Sequence, residues 1–186
     1  MRKFGLWKLF PLIVFLTALA TPALTAAAQK QSEPRTEEAL YREVRHQLVM
    51  LPYFSVFDNL AYSVDGNTVT LFGQVVHASL KGDAEAVVKR VAGVEKVANN
   101  IEVLPASIND DRLRRALFRS IYRFAPLERY ALQAVPPIHI MVKNGNVTLV
   151  GVVATEADKN AAGIRANSVP GIFSVKNELQ VENAKN

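Results

Sequence analysis

One unit of about 45 residues occurs twice in this chain, with the second copy 78 residues after the first. Residues 60–104 align with residues 138–182 without a gap, and 13 of the 45 positions are identical. The clearest match is between VAGVEKVANNIEV and VPGIFSVKNELQV, where Gly, Val and Asn recur at the same offsets. A gapless match with the glycines in register is typical of an internal repeat. The sequence therefore predicts two copies of one small fold.

Each copy shows the same order of helical and strand patterns. A helix is followed by a hairpin, signalled by DGN in the first copy and KNGN in the second, then by another helix and a strand. The predicted helices span residues 37–50 and 79–91, then 108–124 and 157–169, and the last strands span 97–104 and 175–182. This order predicts an α+β protein with two tandem αββαβ domains. Each domain is a two-layer sandwich in which two helices cover one face of a three-stranded sheet.

Local signals mark the helix ends. The predicted N-caps are Thr36, Ser107 with Asp110, and Thr155 with Asp158, the last two pairs at capping-box spacing. Pro52 and Pro126 are predicted to stop the first helix of each copy.

Four glycines recur in register and are predicted to occupy turn or cap positions. Gly93 and Gly171 fall where the second helices must stop, at the C′ position that favours positive φ. The repeated asparagines are predicted to bond backbone at the start of the last strand. The repeated residues are Gly73, Gly93, Gly151, Gly171, Asn99 and Asn177.

The first 28 residues have the pattern of a secretory signal peptide. MRKFGLWK is a positively charged segment, LFPLIVFLTALA is an apolar segment of about a dozen residues, and cleavage is predicted after Ala28. An uncleaved membrane anchor is the alternative. The remaining boundaries are a flexible polar segment at 29–35, a first domain at 36–104, a linker at 105–107 and a second domain at 108–183. Export argues against nucleic acid as a partner.

The run G-V-x-x-V-x-N-x-I-x-V, at residues 93–103 and in related form at 171–181, resembles the BON-domain family, as does V-T-L-x-G in the hairpin. The family includes periplasmic and outer-membrane proteins of Gram-negative bacteria. The resemblance implies an envelope location, no catalysis, and binding to phospholipid surfaces or envelope proteins. It transfers no catalytic or ligand residue. The chain has no cysteine, unlike the lipid-anchored members, so membrane contact is expected to be reversible.

No pattern of catalytic or metal-binding residues stands out. His46, His77 and His139 lack the spacing of a metal site, and no serine lies in a G-x-S-x-G elbow. No phosphate loop or dinucleotide fingerprint occurs. The sequence therefore predicts a binding protein without metal or cofactor, rather than an enzyme.

The first helix of the second copy carries an excess of arginine. On a helical wheel, four arginines lie roughly 200° to 280° from Leu113, with two aromatic residues beside them and away from the core. Basic residues next to outward aromatics are typical of an interfacial membrane helix. The candidate membrane- or partner-binding residues are Arg112, Arg115, Phe118, Arg119, Tyr122 and Arg123.

Two readings of this helix remain open. In the first, the protein is periplasmic and contacts an anionic phospholipid surface reversibly through this helix, which supports envelope integrity or the stress response. In the second, the protein is a periplasmic protein-binding module, a chaperone or an adaptor of an envelope complex. The aromatics could also pack against the other domain, and the arginines could be solvated or pair with Asp110, Asp111 and Glu128.

Overall fold

The structure is a computed structural model that describes residues 37–182. The predicted signal peptide, the polar segment at 29–35 and the predicted cap Thr36 lie outside these residues. Within the described range, no helix is both long enough and apolar enough to span a membrane.

The order of elements confirms the predicted α+β fold with two αββαβ copies. The first copy comprises α1 Glu37–Val49, β1 Asn59–Asp65, β2 Thr68–Val75, α2 Ala78–Lys89, β3 Lys96–Asn99 and β4 Glu102–Val103. The second copy comprises α3 Ile108–Tyr122, α4 Ala125–Glu128, a 3₁₀ turn at Arg129–Leu132, β5 Ile138–Lys143, β6 Asn146–Val153, α5 Glu156–Asn167 and β7 Ser174–Val181.

The two sheets have the same topology and register. In the first copy β1 runs antiparallel to β2, which pairs in parallel with β3, and Val69 lies between Val64 and Val97. In the second copy β5 runs antiparallel to β6, which pairs in parallel with β7, and Val147 occupies the equivalent place. Register therefore follows the 78-residue repeat, because the glycine turns fix both hairpins.

The last strand of the first copy is interrupted, which differs from the single strand predicted at 97–104. Asn99 pairs with Leu71 and Glu102 pairs with Gln74, so both segments follow β2 in parallel. The break at residues 100–101 lies opposite Gly73, and Ile101 at this point is buried in the core.

Each copy buries the helix faces that the apolar periodicity predicts. In the first copy α1 contributes Leu40, Val44 and Leu48 to the core, and Leu51 follows them. In the second copy α3 contributes Leu113, Leu117 and Ile121. The helices thus lie on one face of each sheet, and the opposite face of each helix is left for solvent or a partner.

The first helix of each copy ends for a different reason. Helix α1 stops at Val49, before Pro52, as predicted. Helix α3 stops at Tyr122, two residues short of the prediction, and Pro126 lies in the first turn of α4. Proline is compatible with a first helical turn because its missing N–H would have no partner there. Pro126 therefore helps to begin a second short helix.

The repeated glycines all have positive φ, but their positions differ from those predicted. Gly93 and Gly171 lie three residues beyond the C-caps Arg90 and Ser168, with φ of 97° and 89°. Gly73 and Gly151 lie inside β2 and β6 rather than in turns.

The repeated asparagines have the structural role that the sequence predicts. Asn99 Nδ2 donates to the carbonyl of Lys81 at 2.9 Å, and its Oδ1 accepts from the N–H of Ile101. Asn177 makes the equivalent bonds, with Lys159 at 2.8 Å and with Leu179. Each asparagine thus ties the second helix of its copy to the last strand.

The two copies are joined by the segment between α1 and β1. Val56 of the first copy is buried in the core of the second, and its carbonyl accepts from the N–H of Ile140 at 2.8 Å. Phe54 lies against His139 with ring centroids 5.7 Å apart. This segment extends along the free edge of β5, which fixes the place of α3 relative to the first copy.

Candidate functional site

Four arginines form an exposed stripe on α3. They project at intervals of three or four residues, so they follow one face of the helix. The members of this arginine stripe are Arg112, Arg115, Arg119 and Arg123, all exposed.

Among the described residues, no carboxylate forms an ion pair with an arginine of this stripe. In residues 37–182, ion pairs involving arginine join only Arg114 to Asp111 and Arg129 to Asp158. Asp110, a predicted partner for the arginines, instead accepts from the N–H groups of Asn144 and Gly145 in the β5–β6 turn. The stripe is therefore available to an external anion.

Tyr122 does not belong to this exposed face, so its predicted place among outward aromatics was wrong. Its side chain is 3% exposed. Its hydroxyl donates to the carbonyl of Ile138 at 2.7 Å and accepts from the N–H of the same residue at 3.1 Å. Burial raises the pKa of the phenol. The cause is tertiary, because the chain returns after α4 and brings the start of β5 over the end of α3.

Phe118 is half-buried between the two copies. Its ring lies edge-on to Phe57 of the first copy, with centroids 6.3 Å apart, and tilted against Tyr122 at 4.9 Å. For Phe118, the alternative that the aromatics of this helix pack against the other domain is therefore confirmed. The two aromatics of the predicted site therefore take part in packing and do not project freely beside the arginines.

Two exposed apolar residues that the sequence did not reveal lie at the start of the stripe. Ile108, the first residue of α3, is 84% exposed and precedes Arg112 by four positions. Phe173 is 82% exposed and lies on the β5–β6 turn, where its N–H donates to the carbonyl of Gly145 at 2.9 Å. Because Asp110 binds this same turn, Phe173 lies near the first turn of α3. The spacing of Ile108 from Arg112 was the available sequence signal.

A further arginine, outside the stripe, has a structural role. Arg129 pairs with Asp158 at the start of α5, at 2.5 Å. Asp158 also accepts from the hydroxyls of Thr155 and Tyr130 at 2.7 Å and 3.0 Å. Burial raises the pKa of Asp158, but the bonds from Thr155 and Tyr130 and the charge of Arg129 hold it below its usual value. The capping pair Thr155–Asp158 is thus confirmed and extended into a cluster.

The histidines do not converge on a metal site. His139 is half-buried at the contact between the copies, and its Nδ1 has no hydrogen-bond partner there. Among residues 37–182, no group of three or more His, Cys, Asp or Glu side chains is placed to hold a metal ion.

Solved structures with partial similarity come from the type III secretion system of Chlamydia trachomatis. One is CdsD, described as a structural protein of that system, at 13% identity, covering 78% of this chain and 93% of that chain with a TM-score of 0.32. The other is the C-terminal domain of CdsD, at 12% identity, covering 77% of this chain and 97% of that chain with a TM-score of 0.32. No curated protein matches the chain.

The profile of the BON domain matches residues 36–105 and 126–183, once in each copy. The residues between the matches include the whole of α3 and its arginine stripe. BON domains are binding-type domains of envelope-associated proteins, and the family is associated with membrane or envelope binding. The two matches agree with the duplicated αββαβ fold and the shared register, so this chain belongs to the BON-domain family, with two tandem copies of the domain.

Proposed function

We propose that this protein binds the anionic surface of a phospholipid membrane reversibly, through α3 of the second copy. Export to the periplasm behind a cleaved signal peptide would place it beside such surfaces, where the contact supports envelope integrity or the stress response. The observation that carries the proposal is the arginine stripe, four exposed guanidinium groups along one helix without ion pairs in the described chain.

The strength of the expected contact follows from the charges. Arginine matches phosphate groups with two parallel hydrogen bonds. Near an anionic leaflet each arginine contributes about 1 kcal/mol, so four arginines support weak binding that reverses readily. Exposed charges are screened beyond about 10 Å at 0.1 M salt, so the contact weakens as salt rises.

The exposed apolar residues near the arginines differ from the two aromatics that the sequence predicts. Phe118 and Tyr122 are engaged inside the protein, whereas Ile108 and Phe173 are exposed beside the first turn of α3. Apolar side chains at one end of a basic helix enter the boundary between headgroups and acyl chains. We infer that the helix meets the membrane with its N-terminal end, where Ile108 and Arg112 lie one turn apart.

The first copy offers a matched control helix. Helix α1 has the same place in its copy and carries two exposed arginines, Arg42 and Arg45. It also carries Glu37, Glu38 and Glu43, which oppose binding to an anionic surface. The two copies therefore differ in charge on otherwise equivalent helices.

Charge reversal on these two helices tests the proposal. We expect Arg112→Glu/Arg119→Glu to reduce co-sedimentation with phosphatidylglycerol vesicles by at least about 100-fold in affinity, because each reversal removes an attraction and adds a repulsion. The control Arg42→Glu/Arg45→Glu should change the affinity by less than about threefold, since α1 is already partly neutralised. Circular dichroism checks that both variants fold. The proposal would be contradicted if the wild-type protein did not co-sediment with the vesicles, or if both variants lost affinity equally.

A second candidate function, binding of an envelope protein, is favoured by the surface of the first copy. Met50 and Tyr53 follow α1 with 67% and 81% of their side chains exposed, and Tyr53 has φ of 68°, which is uncommon for an aromatic residue. Exposed apolar residues held on a fixed turn suit a protein partner. Binding to a chaperone client or an envelope complex would replace the lipid proposal if the vesicle experiment gave no binding.

A further inference from the structure

A cleft of about 320 Å³ lies between the two copies, beside α3. Phe57 and Val76 of the first copy give it an apolar wall. Its polar lining consists of Ser55 and His77 from the first copy and of Asp111, Arg114 and Arg115 from the second. Two neighbouring arginines of one copy therefore line the same cleft as the residues that precede α2 in the other.

Arg114 is a buried cation with an unused donor. Its side chain is 3% exposed. One terminal nitrogen, Nη2, donates to the carbonyl of Val142 at 2.6 Å, and the other, Nη1, pairs with Asp111 at 2.5 Å. Its Nε–H is buried and has no hydrogen-bond partner. A buried donor without an acceptor is costly, so the cleft holds a cation that is one acceptor short.

The start of α2 is also incomplete. Its N-cap, His77, makes no side-chain capping bond, and no acidic residue lies in the first turn. The free N–H groups of a first turn, together with the helix dipole, favour an anion at this end. Val76 and His77, the two residues before α2, line the same cleft as the two arginines.

The equivalent helix end in the second copy has both a capping side chain and a carboxylate. At the start of α5, Thr155 accepts from the N–H of Asp158, and Asp158 places a carboxylate in the first turn beside Arg129. The second copy thus combines a helix N-terminus, an arginine and a carboxylate from its own chain. The first copy has the helix end and the arginines, but Ala78 and Leu80 stand where the second copy has Glu156 and Asp158.

Two carboxylates near the cleft are already engaged. Asp111 is paired with Arg114. Asp58 is fully buried, and its oxygens accept from the N–H of Val76 at 2.8 Å and from the N–H and hydroxyl of Ser55 at 3.1 Å and 2.6 Å. Neither carboxylate accepts from the first turn of α2 or from Arg115. The N–H groups of this turn and of Arg115 can therefore donate to an acceptor on a ligand.

We propose that this cleft is a binding site for a single phosphate-type anion, held between the first turn of α2 and the arginines at 114 and 115. The phosphate takes the place that the carboxylate of Asp158 has in the second copy. Free phosphate and the phosphodiester of a lipid headgroup share this chemistry. The proposal goes beyond surface binding by the arginine stripe, because it requires one saturable site built from both copies.

The test is an NMR titration of the ¹⁵N-labelled protein with inorganic phosphate at constant ionic strength. We expect saturable shifts of the Ala78 and Ser79 amides with a dissociation constant on the order of 1 mM, as suits a few charge-assisted hydrogen bonds. A parallel titration with glycerophosphoglycerol, the water-soluble headgroup of phosphatidylglycerol, distinguishes the sources. Binding of inorganic phosphate alone assigns the site to the free anion, and binding of the diester assigns it to a headgroup.

Three variants locate the site. Arg115→Gln should weaken binding about tenfold, whereas Arg42→Gln, at an exposed position on α1 outside both the cleft lining and the arginine stripe, should leave it within about twofold. Asp111→Asn should tighten binding, because it removes a carboxylate from the cleft and releases Nη1 of Arg114. The three substituted side chains are partly or fully exposed, so folding should persist. The proposal is overturned if neither probe gives saturable shifts at α2, or if Arg115→Gln and Arg42→Gln lose binding equally. Vesicle binding that depends on Arg112 and Arg119 does not bear on this outcome.

Discussion

At the scale of single residues, the repeated glycines inside the strands have the most demanding positions. Gly73 and Gly151 have φ of 115° and 129°, and each faces the carbonyl that opens the partner strand, that of Asn59 or Pro137. A side chain on either glycine would overlap that carbonyl oxygen. The hairpins close because the backbones approach here without a Cβ between them.

Glycine substitutions should therefore separate by position. We expect Gly151→Ala to lower the free energy of unfolding by about 3 kcal/mol or more, because positive φ and backbone overlap act together. Gly93→Ala should cost about 1 kcal/mol, since only its φ is unfavourable and its surroundings are open.

Urea unfolding of the three single variants Gly151→Ala, Gly93→Ala and Gly82→Ala measures these differences. Gly82 is exposed within α2 and has open space around it, so Gly82→Ala should stabilise by about 0.5 to 1 kcal/mol. Equal changes in the free energy of unfolding for Gly82→Ala and Gly151→Ala would contradict the close backbone approach at Gly151.

At the scale of elements, the connection between α1 and β1 matters more than its irregular structure suggests. It buries Val56 in the second core, supplies an acceptor to the edge of β5, and places Phe57 against Phe118. A segment of the first copy thus completes the second. Core packing therefore holds the two copies together, in addition to surface contacts.

Shortening Val56 should destabilise the second copy. Val56→Ala removes two buried methyl groups and leaves a cavity, so we expect the free energy of unfolding to fall by about 2 kcal/mol. Hydrogen exchange read by mass spectrometry should show the loss in peptides of β5 and α3. The control Val49→Ala, at a position 47% exposed at the end of α1, should change stability by less than about 0.5 kcal/mol. Loss of protection confined to the first copy would contradict the packing described.

At the scale of the whole molecule, the contact between the copies contains a titratable group. His139 on β5 lies against Phe54. Burial lowers the pKa of its imidazole, although contacts with the backbone and charge of Asp58 and with the Ser55 backbone act in the opposite direction. Lys143 and Glu102 also join the two copies, at 2.5 Å, and this lysine lowers the pKa of Glu102. We therefore expect the junction to respond to acid.

Mild acid should weaken the folded state through His139. Its folded pKa lies below the unfolded value of about 6.5, so the unfolded chain takes up a proton first as pH falls. Stability is consequently full above about pH 6.5 and declines as pH falls towards the folded pKa. Urea unfolding at pH 7.5 and 5.0 measures this decline, and His139→Gln should reduce it. His77→Gln, at an exposed position, is the control. An unchanged decline in His139→Gln would exclude this histidine as the cause.

The sequence by itself determined the elements that rest on local patterns. The 13 repeated identities, the hairpin turns and the apolar spacing of Leu113, Leu117 and Ile121 specify two copies with one register, because periodicity and turn chemistry act over a few residues. The exposed arginines of α3 follow from the same helical spacing. Membership of the BON-domain family could also be predicted, since its motif lies in these local segments.

Only the tertiary structure decided what covers each helix face. The segment between α3 and β5 is longer than its counterpart in the first copy, and its return to β5 buries Tyr122, while the distant residue Phe57 covers Phe118. Helical spacing predicts which side chains share a face, but burial depends on segments far away in sequence that pack against that face. For the same reason the exposure of Phe173 and the cleft around Arg114 depend on the tertiary structure and not on local sequence patterns.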